Sequence, residues 1–235
     1  GLLSLYTVQA RPELFTAHYA FSPSLHWGDN KTVEKIITYL SSRKSLKQFI
    51  YMNLGNEIVK SEYETTNTMA ASFLRLQTFF KEHSVPGLRV KSEILKKLPH
   101  AATNISGLVN ATNELYRNWV LPFDAIEGGP EAISEHYEKL SSDLYQEIQP
   151  RKGSINFAAD YMTNGVHSPE KGMKLLKYNA SLYPDSAWVI FNLAKGYEQR
   201  EQVELAKKYG QEALNLINQD DEELKSSIAS FLDAL

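Results

Sequence analysis

Three short strand-like runs, separated by stretches with helical spacing, constrain this chain more than any other feature. Ala17-His18-Tyr19-Ala20-Phe21 reads as a short buried strand closed by Ser22-Pro23-Ser24. Lys47 to Leu54 reads as a second, carried by Phe49-Ile50-Tyr51-Met52-Asn53-Leu54 and ended by Gly55. The third starts at Leu88. Leu88, Val90, Ser92 and Ile94 share one face of an extended chain, and Arg89, Lys91 and Glu93 share the other. Pro99 stops this strand because it has no N–H to donate, so His100 is held just past a strand end. Around the strands, Gly1 to Leu14, Thr32 to Ser42, Glu62 to His83 and Thr103 to Val120 read as helices. Asn30 is placed to cap the second of them. Such alternation predicts a parallel sheet with helices on its faces, so the fold class of this half is α/β. Three strands are few for a sheet of that type, and it is expected to continue upstream of Gly1.

The character changes after Phe123. Glu127-Gly128-Gly129-Pro130 is a break, and everything beyond reads as helix, beginning with Pro130 to Gln149. Matching positions then recur at a spacing of 34 residues: Ala159 and Leu193, Gly172 and Ala206, Asn179 and Ala213. Together with Ala194 and Tyr197 these resemble the small and large positions of about two tetratricopeptide-type repeats, with Gly172 and Asn179 the poorer matches. Asp221 to Leu235 would be a polar-faced capping helix. The expected domains are therefore residues 1–125, α/β, and residues 126–235, all-α.

Composition removes several function classes. The 235 residues carry a net charge of −3 with both signs spread along the chain, which gives no nucleic-acid footprint. There is no cysteine, which excludes disulfides, thiol catalysis and zinc–thiolate sites but does not separate cytoplasm from periplasm. No apolar run approaches the roughly 18 residues of a membrane helix. The chain opens on Gly1-Leu2-Leu3-Ser4 with neither methionine nor signal peptide, and it is expected to be part of something longer.

Four segments carry a resemblance. They are Gly1-Leu2-Leu3-Ser4-Leu5-Tyr6, the strand ending Phe21-Ser22-Pro23-Ser24-Leu25-His26-Trp27, the strand ending Leu54-Gly55-Asn56-Glu57, and Leu98-Pro99-His100. With them, residues 1–123 resemble the C-terminal half of the esterase D and enterobactin-esterase-like group of α/β-hydrolases. In that family the nucleophile elbow reads G-x-S-x-G, usually followed by another glycine and a Leu/Ala-rich helix. The resemblance implies that Gly1 is the last glycine of the elbow or the one after it. The nucleophilic serine would then lie a few residues before Gly1, in a serine ester hydrolase with the chain order Ser, acid, His.

The same resemblance assigns roles. His100 would take the serine proton and return it to the leaving alkoxide. Glu57, after the preceding strand, would orient the imidazole, with Glu62 and Glu64 as competitors and a Ser–His dyad as the alternative. His26 and Trp27 would line a cleft for a small-molecule ester substrate. Ser22 and Ser24 lack the G-x-S-x-G frame. His18 is expected in the core, and His83, His136 and His167 on the surface. No metal or cofactor is expected. Without its nucleophile the chain alone is expected to be inactive. The opposing expectation is a hydrolase-fold binding protein without catalysis, whose helical repeats hold a protein partner or a second copy.

Overall fold

The run around Ile50 is the centre of the sheet. In the computed structural model of the chain, which describes residues 1–57, 68–217 and 221–235, strand β2 (Gln48–Leu54) is buried at every position. It lies parallel to β1 (Ala17–Phe21) on one side and to β3 (Leu88–Ile94) on the other, in the order β1-β2-β3. Parallel neighbours need crossovers. Helix α2 (Lys31–Ser41) lies between β1 and β2 in the chain, and α3 (Met69–Glu82) between β2 and β3. Helix α1 (Leu2–Ala10) precedes β1, and α4 (Thr103–Leu115) follows β3. The α/β expectation for this half holds. Residues 58–67, which include Glu62 and Glu64, lie outside the described residues.

The two faces of β2 differ. Ile50, Met52 and Leu54 join Leu5, Val8, Val33, Ile36, Phe73 and Leu76 in one apolar core. On the opposite face Phe49 and Tyr51 meet Tyr19 and Phe21 edge-on, with ring centroids 6.1–6.4 Å apart. Helix α4 covers this face through its buried Gly107, Ala111 and Leu115. A strand covered on both faces has no reason to alternate, which is why β2 reads as a continuous apolar run.

On β3 the charged face is tied into the interior. Arg89 donates to the carbonyls of Asp143 (2.7 Å) and Glu114 (2.9 Å). Glu93 accepts from Asn110 Nδ2 (2.6 Å) and from the Tyr51 hydroxyl. Burial and this carboxylate push the Tyr51 phenol above its usual range. Asn30 does not cap α2 with its side chain. It takes a left-handed backbone (φ 63°) and accepts from Ser72 on α3 instead. Thr68, by contrast, caps α3 through Ala71 N at 3.1 Å.

The chain divides into two compact units, Gly1–Arg117 with Asp143–Gln146, and Asn118–Ser142 with Glu147–Leu235. The second begins with α5 (Phe123–Gly128), and α6 (Pro130–Leu144) follows after Gly129 at φ 86°. It continues with α7 (Lys152–Asp160), a π-helical turn (Tyr161–Gly165), α8 (Pro169–Leu182), α9 (Ala187–Glu198), α10 (Val203–Asn215) and α11 (Glu222–Ala234). Helix α7 packs on α8, and α9 on α10. All six residues of the 34-residue spacing are buried. At Gly172 a Cβ would stand 2.8 Å from the carbonyl of Ala159, so the small residue permits the approach of α8 to α7. Buried Asn179 is held by a bond from Nδ2 to the carbonyl of Lys152 (2.9 Å). Among the described residues no helix is long and apolar enough to cross a membrane.

Candidate active site

Because all three strands are parallel, the segments leaving them emerge along one edge of the sheet, the edge where open α/β folds place their ligands. Two of the exits run side by side beyond the strands. Leu95 N donates to Leu54 O (2.7 Å), and Asn56 N donates to Leu98 O (2.8 Å). Pro99 then lets the chain turn, and His100–Ala102 form a single 3-10 turn ahead of α4. This brings His100 Nδ1 to 2.8 Å from Glu57 Oε1.

A carboxylate only accepts, so Nδ1 carries the proton and Nε2 of the neutral ring keeps its lone pair. The carboxylate side chain is 19% exposed and the imidazole 56%, so the pair has a sheltered acid and an accessible ring. Glu57 Oε2 is buried and makes no hydrogen bond among the described residues. A Cβ on residue 55 would lie 2.7 Å from that oxygen and 2.7 Å from Leu98 O, so glycine is required where the two exits close on the acid.

The backbone turn that carries the ring is held from behind as well. Thr103 is buried, and its Oγ1 lies 2.9 Å from the carbonyl of His100 and donates to Ser22 Oγ at 3.0 Å. Ser22 is buried with φ 35°, a sparsely populated backbone region for a non-glycine residue. Its N–H reaches Asn53 Oδ1 (3.0 Å), and Asn53 Nδ2 donates to Thr103 O (3.0 Å). The exits of β1 and β2 and the start of α4 are thus joined by buried hydrogen bonds around the histidine turn. Sequence spacing gave no hint that Thr103, Ser22 and Asn53 would be joined around this turn.

His26 and Trp27 follow β1 on the same edge. Trp27 is 64% exposed, and His26 is half-buried with Nδ1 lacking a hydrogen bond among the described residues. Among the described residues no hydrogen bond or ring contact links either to the His100–Glu57 pair. His18 is buried as expected, with Nδ1 near Ser4 O (3.1 Å) and Thr7 Oγ1 (3.2 Å). His83 and His167 are exposed. His136 departs from the surface expectation. It is half-buried against Tyr137, and burial lowers its pKa. Among the described residues no three His, Asp or Glu side chains are grouped to hold a metal ion.

The first unit is a three-stranded parallel α/β sheet with a His–carboxylate pair at its carboxyl edge, and solved structures share the fold. A crystal structure of an IroE-like serine hydrolase from Shewanella oneidensis matches with a TM-score of 0.63 at 12% identity, over 77% of this chain and 56% of that one. A crystal structure of an uncharacterised protein from Capnocytophaga ochracea matches with a TM-score of 0.56 at 19% identity, over 99% of this chain and 66% of that one. The chain thus spans between half and two thirds of these neighbours. At such identities the likeness carries the fold. A scan against protein-family models found no match, and neither did a search of curated proteins.

Proposed function

We propose that this chain is part of a serine ester hydrolase, supplying its histidine, its acid and part of its cleft. The observation that carries the reading is the 2.8 Å contact of His100 Nδ1 with Glu57 Oε1 at the ends of neighbouring parallel strands. His100 is the general base toward a serine hydroxyl and the general acid toward the leaving alkoxide. Glu57 holds the tautomer and stabilises the imidazolium as it forms. The nucleophile and its oxyanion donors lie upstream of Gly1. The start of α1 supports this placement. A Cβ on Gly1 would stand 2.7 Å from Phe21 O and 2.9 Å from Pro23 Cα, so the chain enters at the carboxyl end of β1, on the same edge as His100. His26 and Trp27 line the cleft from that loop. Residues 1–125 are the hydrolase domain, and residues 126–235 are a helical domain with about two tetratricopeptide-like repeats, a reading supported by the burial of all six residues of the 34-residue spacing.

In the complete protein, His100→Ala lowers turnover of a p-nitrophenyl ester by about three orders of magnitude or more, roughly 4 kcal/mol of barrier. Near-normal turnover in that variant would remove His100 from the mechanism. An upstream coding sequence without G-x-S-x-G would favour the binding protein without catalysis.

A further inference from the structure

The second unit contains a cavity of about 460 Å³ that plays no part in the chemistry above. That volume is within the range of pockets that take small ligands. Its floor includes the buried Tyr137 and Leu140, and its rim includes Trp119, Phe123 and Phe157, all three exposed. Large apolar side chains scattered singly over a surface mean little, but gathered around one cavity they mark a binding surface.

One cation stands at this cavity. Arg151 lies over the Trp119 ring, 4.6 Å from its centre. Among the described residues its guanidinium has no carboxylate partner and no hydrogen bond. Arg11, Arg75, Arg89, Arg117 and Arg200 are matched with acids, whereas Arg43 lies over the Tyr39 ring away from this cavity. Arg151 is therefore a planar donor fork, backed by an indole and set beside an apolar hole, with its donors unspent. The backbone adds to the same field. Helix α7 starts immediately after Arg151 without a side-chain cap, and its first-turn residues Gly153 and Ser154 line the cavity. Nothing stands within 4 Å of where a Cβ on Gly153 would be, so a ligand can approach the first-turn N–H groups. Guanidinium and helix terminus favour the same sign of ligand charge.

We propose that this cavity binds an amphiphilic monocarboxylate of medium chain length. Its carboxylate is held by Arg151 and the first turn of α7, and its acyl chain lies along Trp119, Phe123 and Phe157. A single guanidinium fork matches one planar carboxylate. The aromatic rim accounts for the chain better than for a free inorganic anion, which would leave it wet.

The test is calorimetric titration of the 235-residue chain with sodium decanoate below its micellar concentration, and in parallel with decanol. Decanoate binds saturably, and decanol binds at least about tenfold more weakly, as expected for loss of a charge-assisted pair. Arg151→Gln weakens decanoate about tenfold to a hundredfold and leaves decanol unchanged. The absence of a saturable decanoate signal would overturn the proposal. Equal affinity for decanol and decanoate would do the same, as would an Arg151→Gln chain that binds decanoate like the parent. The decanol comparison needs no variant, so it decides the matter even if a substitution disturbs the fold.

Discussion

At the scale of single residues, His18 makes a commitment that pH can reveal. It is 2% exposed, and its Nδ1–H has an acceptor in Ser4 O while Nε2 is buried with no hydrogen bond among the described residues. Desolvation therefore lowers its pKa, and the backbone acceptors at Ser4 and Phe15 offset this only in part. In the unfolded chain the ring titrates near about 6.5. With the folded pKa below that value, the unfolded state binds more protons as pH falls past about 6.5, and stability drops until the folded ring also protonates. Above about pH 7.5 the contribution is flat. Urea midpoints measured from pH 8 to pH 5 should fall on the acid side, and His18→Leu should flatten that part of the curve whatever its effect on absolute stability. An unchanged slope in the variant would mean that the ring does not stay neutral in the fold. The residues of the candidate site were legible to different degrees for a physical reason. His100 and Glu57 follow strand ends, and strand ends are written in local sequence. Thr103, Ser22 and Asn53 act through hydrogen bonds between residues far apart in the chain, and the φ of 35° at Ser22 has no residue-type signature.

At the scale of elements, α4 shows two opposing effects whose sizes can be compared. Glycine inside a helix costs about 1 kcal/mol relative to alanine, so propensity alone favours replacing Gly107. Its missing side chain, however, is the space occupied by Asn53 Nδ2 and the Phe21 ring, the latter 2.6 Å from where a Cβ would be. Neither neighbour is free to move, since Asn53 bonds Ser22 and Thr103 and Phe21 packs edge-on against Tyr51. Overpacking of this kind costs about 1–3 kcal/mol and also strains the hydrogen bonds of Asn53, so it outweighs the propensity gain. Gly107→Ala is expected to lower the urea-unfolding stability by about 1–3 kcal/mol. A raised midpoint would show that the gap between α4 and the sheet is loose. Element types were readable from periodicity, whereas several ends were not. Helix α4 stops at Leu115 rather than Val120, and α6 at Leu144 rather than Gln149. At the second of these, Tyr145 takes a left-handed backbone and its hydroxyl reaches Gln48 O at 2.6 Å, a long-range bond that overrides the local helical pattern. Helix α5, with 6 residues, is too short to show a period.

At the scale of the whole molecule, the first unit is not a continuous stretch. It needs Asp143–Gln146 as well as Gly1–Arg117. Within it, Arg89 donates to Asp143 O, and Tyr145 donates to Gln48 O. A chain ending at residue 117 or 125 loses both bonds. The Arg89 side chain is only 17% exposed, so its guanidinium would be left largely out of water with fewer acceptors. Losing a hydrogen bond to such a charged group costs about 1.5–3 kcal/mol, and the neutral Tyr145 bond about 1 kcal/mol more. That is a large share of the about 5–15 kcal/mol that holds a domain together. The second unit keeps its own cores when separated, one around Ile190, Phe191, Ala194, Ala213 and Ile228 and another around Met173, Leu193, Tyr197 and Ala206. Residues 118–235 expressed alone should therefore unfold in urea in one sigmoidal transition. Residues 1–117 should bind a hydrophobic dye and give a broad, early transition, because the segment that satisfies Arg89 and Gln48 is gone. If 1–117 instead unfolds cooperatively at the midpoint it shows within the full chain, then Asp143–Gln146 contributes nothing to the sheet, and the bonds of Arg89 and Tyr145 do not hold in solution.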